Sequence, residues 1–336
     1  MRERPDYLRE SSKMSDDPFS DVLRFADAET VVTGRFTAGG RWAVRFPAPD
    51  KIKFFALVKG GCWLALDGHD GPVRVETGDV LLLSAPRSFV LASDLSITPV
   101  AATEFFPPGR SPGSVVKISE GEDCIQIGGH VRLDPASGRL LQDVLPPLIH
   151  VRADAAQAPA LQWLLDQLAR ESAAGLPGGS LASAQIAQLM FVQVLRAYVE
   201  MSGPLAAGWL RAVSDPRIAP ALRLMHAEPG RAWQLAELAR AAAMSRTTFA
   251  LHFKTVAGVA PLAYLTEWRM RLAERALREE QTPVSVLGRS LGYTSESAFS
   301  NAFKRVTGNA PKRYRSAIRA QALAPDAESA AGVGPA

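Results

Sequence analysis

FALHFKTVAGVAPLAY, residues 249–264, returns at a fixed offset of fifty as FSNAFKRVTGNAPKRY, residues 299–314. Phe249 matches Phe299, Phe253 matches Phe303, Lys254 matches Lys304, Gly258 matches Gly308, Pro261 matches Pro311 and Tyr264 matches Tyr314. Upstream the offset falls to 49, pairing Leu235 with Val284, Leu238 with Leu287, Ala239 with Gly288 and Met244 with Tyr293. The second copy therefore carries one extra residue between Tyr293 and Ser295, in a turn, where a length change is absorbed with least disturbance. Each copy reads as helix, tight turn, helix. Leu235, Leu238, Ala239 and Ala242 recur at helical spacing. Ser245 and Ser295 stand where a helix needs an N-cap. Phe249, Phe253 and Val256, with Phe299, Phe303 and Val306, mark the inward stripes. Gly258 and Gly308 can end those helices in left-handed conformation, and Pro261 and Pro311 can open the next. Small residues, Ala239 and Gly288, stand where paired helices cross closely.

Two such units joined by one helix over 261–278, with Leu262, Leu265, Trp268, Leu272 and Ala276 on its apolar side, form a tandem helix-turn-helix. The spacer would hold two reading helices about 34 Å apart, one turn of DNA. The charge agrees. Residues 245–319 hold thirteen Lys or Arg against five Asp or Glu, a net of +8, which leaves −4 for the rest of a chain whose total is +4. A basic block on a neutral-to-acidic body is the footprint of a polyanion-binding domain.

These residues resemble the AraC/XylS family of bacterial regulators. The resemblance rests on Gly292-Tyr293-Thr294-Ser295-Glu296-Ser297-Ala298-Phe299 with Phe303-Lys304, on Met244 to Phe249 with Phe253-Lys254, and on Trp268-Arg269-Met270. It implies double-stranded promoter DNA as partner, and RNA polymerase as a further one if the chain is an activator. The base-contacting positions it implies are Thr247, Ala250 and Leu251 in the first unit and Glu296, Ser297, Ser300 and Asn301 in the second. Members often carry Arg where Leu251 stands, and Arg is the usual reader of guanine. Arg246 is the expected substitute. Lys254, Lys304, Arg305, Lys312, Arg313 and Arg315 cluster near helix ends and are expected to meet phosphates.

From Phe54 to Leu91 the pattern changes to period two with turn punctuation. Phe54–Val58 reads as a buried strand and Gly60-Gly61 as a turn. Cys62, Leu64 and Leu66 alternate with Trp63, Ala65 and Asp67, and Asp67-Gly68 with Asp70-Gly71 marks a hairpin before Val73–Glu76. Gly78-Asp79 then feeds Val80–Leu83. Short strands at this spacing predict a sandwich or barrel. The Gly78-Asp79 turn entering an apolar strand before Pro86 resembles a cupin, the jelly roll found ahead of the DNA-binding domain in one AraC subfamily. Ile127 to Asp134 and Leu145-Pro146-Pro147 also fit that subfamily. An effector pocket is expected among Phe55, Trp63 and Phe89, with Arg45 and Arg87 as anion anchors.

Many cupins are metal-dependent oxygenases. That chemistry needs a close His-x-His, an acidic ligand and a later His. Here His69 stands alone, Glu76 lacks partners, Phe89 occupies the region of the last His, and His130 and His150 lie far beyond. Neither a metal, a cofactor nor catalysis is expected. Cys62 and Cys124 are too few for a disulfide framework and read as small buried hydrophobes, with redox sensing the alternative.

The expected organisation is a multidomain α and β chain. It has an arm at 1–18, a cupin-like jelly-roll sensor at 19–150 and a helical linker and dimerisation segment at 151–206. An all-α domain follows at 212–317, with units near 233–257 and 283–307, and a tail at 320–336. Leu161, Leu164, Leu165 and Leu168, then Ile186, Leu189, Met190, Val192, Leu195 and Val199, are the apolar stripes of the linker helices, suited to packing or to a homodimer. Ser202-Gly203-Pro204 and Asp215-Pro216 bound the linker. Translation starts at Met1 or Met14. The absence of an apolar leader or span predicts a cytoplasmic protein without membrane partners. The leading function is a DNA-binding transcription regulator controlled at its cupin by a small molecule or a redox signal. The alternatives are a metal-dependent cupin enzyme tethered to DNA and a constitutive DNA-binding dimer with a non-sensing scaffold.

Overall fold

The computed structural model describes residues 17–107, 113–134, 138–142, 144–201, 207–279 and 282–323. The arm through residue 16, the Ser202-Gly203-Pro204 linker and the tail beyond 323 lie outside the described residues. The chain divides into two compact units, one of residues 26–205 and one of residues 206–336 together with 1–25.

The first unit is a sandwich of two sheets. Its strands are β1 (Glu29–Ala38), β2 (Ala43–Phe46), β3 (Ile52–Lys59), β4 (Gly61–Leu66), β5 (Val73–Glu76), β6 (Val80–Leu83), β7 (Phe89–Ala92), β8 (Val100–Ala101), β9 (Val115–Lys117), β10 (Cys124–Arg132) and β11 (Leu148–Val151). One sheet runs β11-β6-β3-β10-β1-β9 and the other β5-β4-β7-β2-β8. Inward residues alternate with outward ones, so Phe36, Val44, Phe55, Leu57, Cys62, Leu64, Leu81, Leu83, Phe89 and Leu91 fill one core between the sheets. Gly60, at φ 83°, turns the chain from β3 in one sheet to β4 in the other. Only Gly fits, because a Cβ there would strike the carbonyl of Asp123. Asp79 closes the Gly78 turn. It accepts from the backbone of Glu76 (3.0 Å) and Ala153 (2.8 Å), and lies 2.7 Å from His150 Nε2. Burial pushes the Asp79 carboxyl up, but His150 and the two amides outweigh it and hold the group below its usual range.

A short helix α2 (Arg139–Gln142) precedes β11, and helices α3 (Ala158–Ala174) and α4 (Gly179–Met201) complete the unit. Leu161, Leu164, Leu165 and Leu168 are buried along α3, as expected. On α4 the buried stripe is Ser183, Ala187, Met190, Phe191, Val194, Leu195 and Ala197, whereas Leu189 is exposed. Gln188 of α4 accepts from both the backbone N–H (3.0 Å) and the hydroxyl (2.8 Å) of Thr30 on β1. These helices therefore belong to the sandwich unit instead of forming a separate linker.

The second unit is all-helical. Its helices are α5 (Trp209–Ser214), α6 (Ala219–Ala227), α7 (Leu235–Ala241), α8 (Arg246–Ala257), α9 (Pro261–Glu279), α10 (Val284–Ser290), α11 (Glu296–Thr307) and α12 (Pro311–Leu323). Asp215 caps the turn entering α6, accepting from the N–H groups of Arg217 (2.8 Å) and Ile218 (3.3 Å). The structure departs from the expected boundary at residue 19. Residues Pro18–Phe25 form helix α1, which belongs to this helical unit. Val22 and Phe25 are buried, and the Phe25 ring lies 4.9 Å from that of Trp268 on α9. Asp21 stands 3.5 Å from His226 Nδ1, while the opposite nitrogen of His226 lies 2.8 Å from the Tyr264 hydroxyl. Burial lowers the His226 pKa and Asp21 opposes that shift. Among the described residues no helix is long and apolar enough to cross a membrane.

Candidate nucleic-acid interface and sensor cavity

The two helix-turn-helix units are built from the same local chemistry. Ser245 Oγ accepts the Thr248 N–H at 3.2 Å, and Ser295 Oγ accepts the Ala298 N–H at 3.1 Å. Gly258 and Gly308 close the helices at φ 78° and 79°, each donating 2.9 Å to the carbonyl of Lys254 or Lys304. Before the caps, Met244 N–H donates to Ala239 O and Tyr293 N–H to Gly288 O, both at 2.9 Å. The extra residue of the second copy is thus Thr294, in the turn. Phe249, Phe253, Phe299 and Phe303 are fully buried. Phe253 meets Tyr264 edge-on at 5.6 Å, and Phe303 meets Tyr314 in the same way at 5.4 Å. Gly288 allows its helix to press on Phe299, since a Cβ would approach that side chain to 2.9 Å.

The turns differ in one respect. The left-handed position holds Ala243 (φ 52°) in the first unit and Gly292 (φ 86°) in the second. Gly292 packs on backbone: a Cβ there would come within 2.4 Å of the Gly230 carbonyl and 3.1 Å of the Arg269 guanidinium. Arg269, which sequence reasoning did not single out for this role, bonds the carbonyls of Pro229 and Arg231 (2.8 Å to the latter) and ties that loop to α9.

Helix α9 is apolar on more than one side because both units pack on it. Tyr264, Leu265, Trp268, Met270, Leu272, Ala273, Ala276 and Leu277 are buried, whereas Leu262, expected inside, is exposed. Its 19 residues span about 28 Å.

With the phenylalanines inward, the opposite faces of α8 and α11 are open. Arg246, Thr247 and Leu251 are exposed and Ala250 half-buried, with Leu251 open to 69%. On α11, Glu296, Ser297 and Asn301 are exposed and Ser300 is half-buried. Lys254, Lys304, Arg305, Lys312 and Arg313 are exposed as well. Lys312 lies 3.6 Å from Glu296, linking an expected phosphate group to an expected base reader. Arg315 is placed otherwise than expected: its guanidinium donates to the Thr282 carbonyl, and burial lowers its pKa. It ties α12 to the start of α10.

Within the sandwich a cavity of about 390 Å³ opens between the sheets. Phe55 and Phe89, two of the expected pocket residues, line it together with Phe36, Phe46, Phe106 and Gln126. The other three do not. Trp63 has the outward parity of β4, between buried Cys62 and Leu64, with Arg74 5.5 Å over its ring. Arg45 points outward to Asp67 (3.3 Å), and Arg87 donates to the Gly68 carbonyl (2.7 Å). Gln126 was not foreseen, and a lone Gln in an apolar strand gives little signal. The two cysteines lie in the same core, free and buried, and the influence of Cys124 together with burial pushes the Cys62 thiol up. Among the described residues no group of three His, Cys, Asp or Glu is placed to hold a metal ion.

Comparison with known proteins adds the following. The family model described as "Cupin" matches residues 17–200, and that described as "Helix-turn-helix domain" matches residues 238–317. A putative AraC-like transcription regulator of Streptomyces antibioticus is 41% identical over 299 residues, covering 89% of this chain and 98% of the relative. The RCS-specific HTH-type transcriptional activator RclR of Escherichia coli K12 is 30% identical over 260 residues, 76% of this chain and 84% of that protein. Among solved structures, the DNA-binding domain of AdpA in complex with a target DNA is 32% identical over 32% of this chain and 96% of its own, with a TM-score of 0.31. A cupin match over more than half the chain, a helix-turn-helix match on the repeated units and near-full-length relatives agree with the fold: the chain belongs to the AraC-like transcription regulators, DNA-binding proteins with an N-terminal cupin domain.

Proposed function

We propose that this DNA-binding regulator acts in the cytoplasm as a homodimer and alters its grip on promoter DNA when a small molecule occupies the cupin cavity. The observation that carries the DNA reading is the pair of Ser-capped helices, α8 and α11, each with buried phenylalanines behind and exposed polar side chains in front. In this reading Arg246 and Thr247 from α8, and Ser297, Ser300 and Asn301 from α11, reach base edges. Ala250 and Leu251 offer only apolar contact, suited to a thymine methyl. Glu296 would read cytosine on release from Lys312. Lys254, Lys304, Arg305, Lys312 and Arg313 neutralise phosphates, and Arg315 steadies the unit from inside. The second helix therefore carries more of the hydrogen-bonded specificity. Contact with RNA polymerase follows if the regulator activates.

The test is quantitative gel retardation with the full chain on its own promoter region over a salt series. Lys304→Ala should weaken all sequences alike and reduce the log–log salt slope by about 1. Asn301→Ala should cost about 1–3 kcal/mol on the preferred site alone. Equal losses on specific and unrelated DNA for Asn301→Ala would remove it from base reading.

Dimerisation is supported by apolar side chains left open on the sandwich unit's helices, Trp163 at 61% on α3 and Leu181 at 67% on α4. The cavity favours a small-molecule signal over a redox one, because it is a preformed apolar site whereas the two thiols are enclosed.

A further inference from the structure

The cavity owes its existence to a gap in the strand ladder. On β10 the inward positions run Gln126, Gly128, His130, and Gly128 stands directly opposite Gly34 of β1 on one side and Phe55 of β3 on the other. A cross-strand pair ordinarily projects two side chains about 5 Å apart; the Gly34–Gly128 pair projects none. Gly34 sits beside a bulge at φ 146°, which favours glycine. At Gly128 a Cβ would meet nothing closer than 3.6 Å, so the space there is open by sequence rather than by steric need.

The surrounding surface is aromatic. Phe46 and Phe89 lie parallel at 4.8 Å, and Phe55 continues the stack at 6.4 Å from Phe89. Beside Thr33, Arg35 and Thr103 of the lining, polar chemistry enters at two places. Gln126 is only 4% exposed and lines the cavity. Its Oε1 is fully enclosed without a hydrogen-bond partner among the described residues. Such buried amides are rare in folded proteins unless something else satisfies them. At the other end Lys53, which also lines the cavity, stands opposite His130 in the ladder, four residues along β10 from Gln126, or about 13 Å. Burial lowers the Lys53 pKa, and burial with Lys51 and Lys53 nearby brings His130 down to about 4. Among the described residues no acidic side chain lines the cavity.

We propose that the cavity binds a small apolar-bodied carboxylate bearing a hydroxyl at its far end. The carboxylate pairs with Lys53, the body lies among the phenylalanines over the Gly34–Gly128 gap, and the hydroxyl bonds the side-chain amide of Gln126. The cavity volume, near the lower end of the ~300–1,000 Å³ usual for ligand sites, suits one ring with a short side chain. This deepens the sensor reading above and rests on it.

The test is calorimetric titration of the full chain with 3-(4-hydroxyphenyl)propanoate, with 3-phenylpropanoate, which lacks the hydroxyl, and with 3-(4-hydroxyphenyl)propanamide, which lacks the charge. Each analogue should bind about tenfold more weakly than the hydroxy acid. Gln126→Leu should erase the preference for the hydroxyl, and Lys53→Met the preference for the carboxylate. Gly128→Leu should abolish binding of all three. If that variant does not fold, Gly128→Ala, whose Cβ meets only ordinary contacts, should weaken all three in parallel. Equal affinities for the three probes, no binding below about 1 mM, or binding that survives Gly128→Leu overturns the proposal. Gel retardation on the same preparations separates the two readings. DNA binding that shifts alike with all three probes sinks the ligand assignment alone, whereas probe discrimination with no change in DNA binding sinks the sensor reading.

Discussion

Replacing Gly292 by Ala probes the turn on which the second reading unit depends. At φ 86° the position lies beyond the left-handed well that L-residues tolerate, so strain there is about 1–2 kcal/mol. The added methyl would also lie 2.4 Å from the Gly230 carbonyl, and it cannot be relieved by a rotamer change because its neighbour is backbone. Moving that carbonyl disturbs the loop that Arg269 holds through Pro229 and Arg231. Overpacking of this kind costs about 1–3 kcal/mol. The expected loss is about 3 kcal/mol. The equivalent turn supplies the control. Ala243 sits at φ 52°, inside the tolerated well, and Ala243→Gly exchanges relief of about 1 kcal/mol of strain for a similar gain in unfolded-chain entropy. It should move stability by less than about 0.5 kcal/mol. Urea unfolding of the full chain, followed by tryptophan fluorescence and by circular dichroism, measures both. If Gly292→Ala cost less than about 1 kcal/mol, or Ala243→Gly cost as much as Gly292→Ala, the account of the two turns would be wrong.

Three further outcomes are expected. Trp163→Glu with Leu181→Glu should shift the full chain from dimer to monomer in sedimentation velocity; an unchanged dimer would place the interface elsewhere. His226 is enclosed with its pKa depressed by burial, so the unfolded chain takes up its proton first. Stability of the helical unit is then fully present above about pH 6.5 and declines as pH falls below it, a slope that His226→Phe should flatten. A slope unchanged by that substitution would assign the titration to another group. Cys62 and Cys124 should resist iodoacetamide in the native state and react once unfolded; rapid native labelling would reopen redox sensing.

What could be read in the sequence follows from how far apart the interacting residues lie. The helical repeat is local. A Ser cap acts three residues away, a Gly cap four, and an aromatic stripe closes within one helix, so periodicity and caps declared both units. Strand parity was legible too, and Cys62, Leu64 and Leu66 already declared Trp63 an outward residue, yet its size drew it into the expected pocket. The cavity was not legible because glycines make it: Gly34 and Gly128 read as strand interruptions until the ladder sets them opposite each other. Helix α1 was missed for a similar reason. Eight residues hold too few turns for a convincing period, and the partners that bury Asp21 and Phe25 are His226 and Trp268, more than two hundred positions away. Arg315 looked like a free cation because nothing in its neighbourhood announces the Thr282 carbonyl.

That first helix alters what counts as the DNA-binding part of the chain. Helix α1 belongs to the helical unit; the chain leaves that unit at residue 26 to build the whole sandwich and returns after residue 205. The sandwich is therefore an insertion within the helical unit, joined to it by two covalent connections. A single proteolytic cut near residue 205 would leave the halves held through α1, and a fragment starting at residue 212 would lack the helix that covers Trp268. During synthesis, at about 5–20 residues per second, α1 emerges roughly ten seconds or more before the residues it docks against. The sandwich can fold in that interval, and completion of the reader is deferred until the last third of the chain is made.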